Sequence, residues 1–187
     1  MAKAIGYGIV GSGWRAEFYL RIAKALPERF RVCGLVTRNP PKAAEIGKKW
    51  DVPIFPDLSS LQQTSPAFVV VSVKRQAAPN VIAEAAGHGL PVLTETPPAD
   101  DMAGLLALHR LETAGAVIQV AEQYPMQPMN AARLAIVRSG TLGAVNEAQV
   151  SFSHGYHGMA LMRALLGVSF EPARIRAFRY PTRFVAG

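Results

Sequence analysis

The stretch that most constrains the fold is Ala4-Ile5-Gly6-Tyr7-Gly8-Ile9-Val10-Gly11-Ser12-Gly13-Trp14-Arg15-Ala16. Its first part is short, apolar and β-compatible, as a strand buried on both faces would be. It runs into Gly11-x-Gly13-x-x-Ala16, the G-x-G-x-x-G/A spacing of a turn that holds a dinucleotide. Gly11 lets the chain turn sharply, and Gly13 removes a side chain so that backbone can approach a pyrophosphate. Ala16 is small enough for the next helix to pack closely on the strand. That helix offers free N–H groups and the positive end of its dipole to phosphates. A glycine-rich tight turn without a ligand has the same spacing. Placement between an N-terminal strand and a helical pattern favours the nucleotide reading.

Behind the turn, strand and helix alternate. Phe18, Ile22, Ala25 and Leu26 give a helical period over 17–26, and Pro27 ends it. Strands are expected at 30–36, 52–56, 67–73, 91–94 and 116–121. The intervening helices are expected at 42–50, at a brief segment capped by Asp57 or Ser59 and running through Leu61, at 79–87, and at 102–114 behind a capping Asp100. This pattern predicts an α/β fold, a Rossmann-type doubly wound parallel sheet over residues 1–122. Gln-Tyr-Pro-Met-Gln-Pro at 123–128 breaks the rhythm. Helices near 128–138 and 157–166 and strands near 144–152 and 173–180 then predict the start of an α+β substrate domain over 123–187. This segment is small to bury a sheet of its own, and Phe184-Val185-Ala186-Gly187 ends without a cap or polar tail. The expectation is either a longer chain or a partner covering this half.

Composition narrows the function classes. Half the residues are hydrophobic and 18% are charged, which is the balance of a globular protein. The single cysteine, Cys33, sits in an apolar run and reads as a small buried hydrophobe. Without a disulfide framework the expected compartment is the cytoplasm. No signal-peptide pattern opens the chain, and no apolar run reaches membrane-spanning length. The formal net charge is +7, and most of the excess lies beyond residue 122. Arg133, Arg138, Arg163, Arg174, Arg176, Arg179 and Arg183 are scattered singly among apolar residues, without the run or stacking pattern of a nucleic-acid surface. They suit a site for a phosphorylated cofactor or an oligomer interface instead.

The end of the second predicted strand selects the nucleotide. NAD-preferring sites place an Asp or Glu there to hold the ribose hydroxyls. Here the position reads Thr37-Arg38. A hydroxyl followed by a guanidinium suits a 2′-phosphate, so NADP is expected ahead of NAD; a solvated loop arginine is the alternative.

Landmarks along nearly the whole chain resemble the Gfo/Idh/MocA oxidoreductases, NAD(P)-dependent dehydrogenases acting mainly on sugars and cyclitols. They are Gly11-Ser12-Gly13, Pro56-Asp57-Leu58, the strand Phe68–Val73, and Gly89-Leu90-Pro91-Val92-Leu93-Thr94-Glu95-Thr96-Pro97. Ser139-Gly140-Thr141-Leu142-Gly143, then Gly155-Tyr156-His157 with Leu165-Leu166-Gly167, complete the set. Members are typically much longer, so the resemblance implies that much of the substrate-domain sheet lies outside this chain. The departures bear on chemistry. The family's Glu-Lys-Pro reads Glu95-Thr96-Pro97, so Thr96 stands where the resemblance puts the acid/base lysine. The family's Pro-x-x-x-His loop reads Lys74-Arg75-Gln76-Ala77-Ala78, which brings a lysine to a strand end. Lys74 is either a relocated acid/base or a surface or phosphate-contacting cation. Of the family's Asp-x-x-x-His, His157 is retained while Ser153 replaces the aspartate.

The resulting candidates are Lys74 and His157 for catalysis. Gly11, Ser12, Gly13, Trp14, Arg15, Thr37, Arg38, Ser72, Val73, Glu95 and Thr96 are the candidates for the cofactor. His157 at a helix start would be held neutral, as a base or a partner for a substrate hydroxyl, or would simply cap the helix. His88 and His109 read as surface residues, and His154 with His157 lacks further ligands for a metal. Two readings follow. One is an NADP-dependent oxidoreductase acting on a small sugar, polyol or related carbonyl compound, homo-oligomeric through its C-terminal segment. The other is a nucleotide-binding sensor of the same fold without catalysis.

Overall fold

β1 (Ile5–Val10) is buried at every position after Ile5, because it is a central strand of a parallel sheet covered on both sides. The computed structural model describes residues 4–152, 154–169 and 171–181, and the chain divides into two compact units at Glu122 and Gln123. In the first unit, β1 is followed by α1 (Trp14–Ala25), β2 (Phe30–Val36), α2 (Pro40–Trp50), β3 (Ile54–Phe55) and α3 (Leu58–Gln62). β4 (Phe68–Val71), α4 (Ala78–Gly87), β5 (Val92–Thr94), α5 (Met102–Thr113) and β6 (Ile118–Val120) complete it. The strands run in the order β3-β2-β1-β4-β5-β6 and every pairing is parallel. This is the doubly wound Rossmann sheet that the alternating pattern predicts.

The period of two along each strand divides the core between the sheet's faces. Ile9, Leu35 and Val70 pack with Ala16, Leu20 and Ile46 of α1 and α2. Val10, Val36, Val69 and Val71 pack with Leu58, Leu61, Ile82 and Leu108 of α3, α4 and α5. Burying one such side chain stabilises the fold by roughly 1.5–3 kcal/mol. Close approach is part of the design: a Cβ on Gly8 would stand 2.5 Å from Leu61 Cδ2, so glycine is what lets α3 lie on β1.

Helix starts follow the capping residues. α1 begins at Trp14, earlier than the apolar period suggests, with Gly13 as its N-cap. Asp57 caps α3 by accepting from the Ser60 N–H at 2.7 Å. The expected cap on α5 shifts by one residue: Asp101, not Asp100, accepts from the Gly104 N–H at 2.8 Å. Asp100 is drawn to the loop after β4, where it accepts from Gln76 Nε2 at 2.8 Å.

The second unit contains a short 3₁₀ turn (Tyr124–Met126), α6 (Pro128–Arg138) and α7 (Gly155–Leu166). The strands expected near 144–152 and 173–180 are not formed among the described residues, where α6 and α7 are the regular elements. The pattern is right for a strand, with Ala148, Val150 and Phe152 alternately half-buried. Val150 and Phe152 lie against Gly158 of α7. A ladder, however, needs a partner strand for its N–H and C=O groups, and neither segment has one among the described residues.

The Tyr7 phenol donates to the carbonyl of Tyr19, and its ring stacks on Phe68 with centroids 5.2 Å apart. Burial pushes this phenol from 10.0 up to about 12. In the unfolded chain it would ionise near the ordinary value, so above that pH the native state holds the extra proton and stability falls as pH rises. The urea midpoint is therefore expected to drop between pH 10.0 and about 12, and Tyr7→Phe should flatten that slope. Equal slopes for the two proteins would contradict the assignment.

Candidate functional site

The site is built where the sheet's strand order reverses, between β1 and β4, the place where open α/β sheets hold ligands. Gly11 has φ +121°, and a Cβ there would lie 2.0 Å from the carbonyl oxygen of Ser72. Only glycine passes beneath the end of β4 at this point. Its N–H donates to the Val36 carbonyl at 2.9 Å, and the Ser72 N–H donates to the Val10 carbonyl at 2.8 Å. The ends of β1, β2 and β4 are thereby held together.

Gly13 serves differently. Its backbone is ordinary, but an added Cβ would meet nothing within 4 Å, and no side chain caps α1. Gly13 therefore borders open space, and the first-turn N–H groups have no side-chain cap. That space belongs to a cleft of about 830 Å³, within the usual range of small-molecule sites. Gly11, Ser12, Gly13, Trp14 and Arg15 line it, with Thr37, Arg38, Ser72, Val73 and Lys74. Open space before a helix N-terminus, a glycine-only turn and cations on the wall fit a dinucleotide.

Thr37 donates through Oγ1 to Ser12 Oγ at 2.8 Å, tying the loop after β2 to the glycine turn. The same oxygen accepts from the Asn39 N–H at 3.3 Å. Arg38 is exposed and has no ion pair among the described residues. Lys74 is exposed too, and its carbonyl accepts from the N–H groups of Ala77 and Ala78, which start α4.

Glu95 follows β5 and does not line the cleft. One oxygen of its carboxylate, Oε2, lies 2.9 Å from Arg15 Nε, and the other, Oε1, accepts from the Tyr19 hydroxyl at 2.5 Å. Burial, and after it the bond to Glu95, raises the Tyr19 phenol above its ordinary range. Thr96 is half-buried and joined to Pro97 by a cis peptide bond, and it also lies off the cleft wall.

In the second unit His157 is 7% exposed, in the first turn of α7. Its ring lies 4.4 Å from those of both Tyr124 and Tyr156, and 6.1 Å from that of His154. Ser153 lies outside the described residues. Among the described residues no group of three or more His, Cys, Asp or Glu side chains could hold a metal. None of their helices is long and apolar enough to cross a membrane.

The cleft also contains residues that were not among the sequence candidates for the site: Asn39, Asp57, Leu58, Ala77, Val81 and Glu84. Asn39 was findable, since Asn before Pro40-Pro41 is a helix-start signature; its Oδ1 accepts from the Lys42 N–H at 3.1 Å. Tyr19 carried no such signal.

The sequence profile described as Oxidoreductase family, NAD-binding Rossmann fold, GFO_IDH_MocA, matches residues 5–122. The chain belongs to this family. No curated protein sequence matches it significantly. Among solved structures, scyllo-inositol dehydrogenase from Lactobacillus casei is similar with a TM-score of 0.74 at 16% identity, covering 89% of this chain and 56% of that one. An oxidoreductase from Agrobacterium radiobacter, in complex with NAD+, L-tartaric acid and magnesium, gives 0.73 at 19% identity, covering 87% and 55%. The WlbA dehydrogenase from Bordetella pertussis, in complex with NADH and UDP-GlcNAcA, gives 0.68 at 19% identity, covering 75% and 44%. The chain thus spans about half the length of these structures, and at such identities the likeness is one of fold.

Gly11→Ala is expected to cost at least about 2 kcal/mol, from a positive φ and the overlap with Ser72, and to abolish dinucleotide binding. Denaturant unfolding and a binding titration check this; native stability with intact binding would contradict it.

Proposed function

We propose that the protein is an NADP-dependent oxidoreductase that moves a hydride between the nicotinamide and a sugar, polyol or related carbonyl substrate. The observation that carries this reading is the rim of the cleft at the end of β2. Thr37 is locked to Ser12, and Arg38 beside it is exposed and has no carboxylate partner among the described residues. The end of β2 itself carries no acid, which would hold ribose hydroxyls and repel a 2′-phosphate; the two acids of the cleft, Asp57 and Glu84, come from the cap of α3 and from α4.

The nicotinamide, when bound, supplies or accepts the hydride. This chain's residues bind, orient and manage a proton. The first-turn N–H groups of α1, opened by Gly13, take the pyrophosphate. Arg38 takes the 2′-phosphate in bidentate fashion. Lys74 on the cleft wall is the group that moves a proton, in place of the lysine that Thr96 replaces. In the second unit, His157 in the first turn of α7 is the candidate partner for a substrate hydroxyl. The similar solved structures named for scyllo-inositol and holding UDP-GlcNAcA support a polyhydroxylated substrate. Thr96 equally favours a second reading, a nucleotide-binding sensor that lacks catalysis.

Fluorescence titration decides the cofactor: NADPH should bind more tightly than NADH. Arg38→Ala should weaken NADPH by about tenfold or more, the worth of a charge-assisted pair, with little change for NADH. Equal affinities would sink the assignment. Lys74→Ala should lower kcat on a polyol by about 10²-fold or more, as loss of a general acid/base does, with the NADPH affinity kept. If no polyol of a broad panel is oxidised while NADPH still binds, the sensor reading stands instead.

A further inference from the structure

A carboxylate beside an anion site is at first sight misplaced. Arg15 lines the cleft from the first turn of α1, yet its Nε is paired with Glu95 at 2.9 Å, which offsets part of the positive charge there. Both groups are mostly shielded, with side-chain exposures of 25% and 17%, so the pair is more than a transient surface contact. The carboxylate is itself held by Tyr19, 76 residues away in sequence. Tyr19 in turn is fixed by the bond its carbonyl accepts from buried Tyr7. Arg15 is braced across its face as well, its guanidinium carbon standing 5.1 Å from the Phe18 ring centre and 5.7 Å from that of Trp14.

A guanidinium has five N–H donors in a planar fork, so a bond through Nε leaves terminal amino groups to offer. A free arginine must freeze several rotors to grip a phosphate, and one already held loses less on binding. We propose that Glu95 is a positioning residue: it fixes the Arg15 guanidinium on the cleft wall so that the terminal amino groups grip a cofactor pyrophosphate, with Tyr19 fixing Glu95. This rests on the dinucleotide reading and gives Glu95 a role through Arg15.

Charge and positioning predict opposite signs, which makes the test sharp. Removing a negative charge beside an anion site strengthens anion binding if charge alone matters. Calorimetric titration of the full chain with NADPH, and with adenosine 2′-monophosphate, which carries the 2′-phosphate but no 5′-phosphate, separates the cases. Glu95→Gln is expected to weaken NADPH by about tenfold, as loss of a charge-assisted contact would, and to leave adenosine 2′-monophosphate unchanged. In an Arg15→Ala background the same substitution should have no further effect. Tyr19→Phe, which alters no charge, should weaken NADPH in the same direction by less, and it carries the test should Glu95→Gln not fold.

Unchanged or tighter NADPH binding in Glu95→Gln overturns the proposal, as does an equal loss with and without Arg15. Parallel weakening of adenosine 2′-monophosphate overturns it too, by showing a general disturbance of the cleft. If the unaltered protein binds neither ligand, the dinucleotide reading itself falls and this proposal with it.

Discussion

The passage of Gly11 beneath the Ser72 carbonyl is the contact on which the site depends. It brings the ends of β1 and β4 together where the strand order reverses, and it needs a residue with no Cβ at φ +121°. Everything useful lies within a few residues of that crossing. α1 starts at once, with open space beside Gly13 and no side chain capping its first N–H groups. Thr37 reaches across from β2 to Ser12, and Lys74 emerges just beyond β4. A side chain at residue 11 would push the two strands apart and carry the cleft walls with them.

Two apolar layers hold that crossing rigid. Because Val69, Val70 and Val71 are each at most 1% exposed, neither face of β4 gives way. A loop anchored to such a strand keeps its geometry, which is why ligand groups sit on loops at strand ends and the strands themselves carry only packing. The polar chain from Tyr7 through Tyr19 and Glu95 to Arg15 links this rigid interior to the cleft wall.

Much of this was legible in the sequence because it rests on local rules. An apolar run followed by Gly11-x-Gly13-x-x-Ala16 fixes strand, turn and helix together, and alternation fixes the parallel sheet. The choice between Asp100 and Asp101 was not legible, since adjacent aspartates before a helix differ only by one residue of register. Tyr19 and Glu95 meet through the folded packing of α1 on the sheet, which leaves no mark at either position. The segment 144–152 shows the opposite lesson: Ala148, Val150 and Phe152 have a strand's period, but hydrogen-bonded pairing is a property of two segments.

The most direct test of the account is a crystal structure of the intact chain with NADPH bound. The pyrophosphate is predicted against Gly13 and the first-turn N–H groups of α1, and the 2′-phosphate against Thr37 and Arg38. A nucleotide bound elsewhere, or a 2′-phosphate turned away from Arg38, would contradict it.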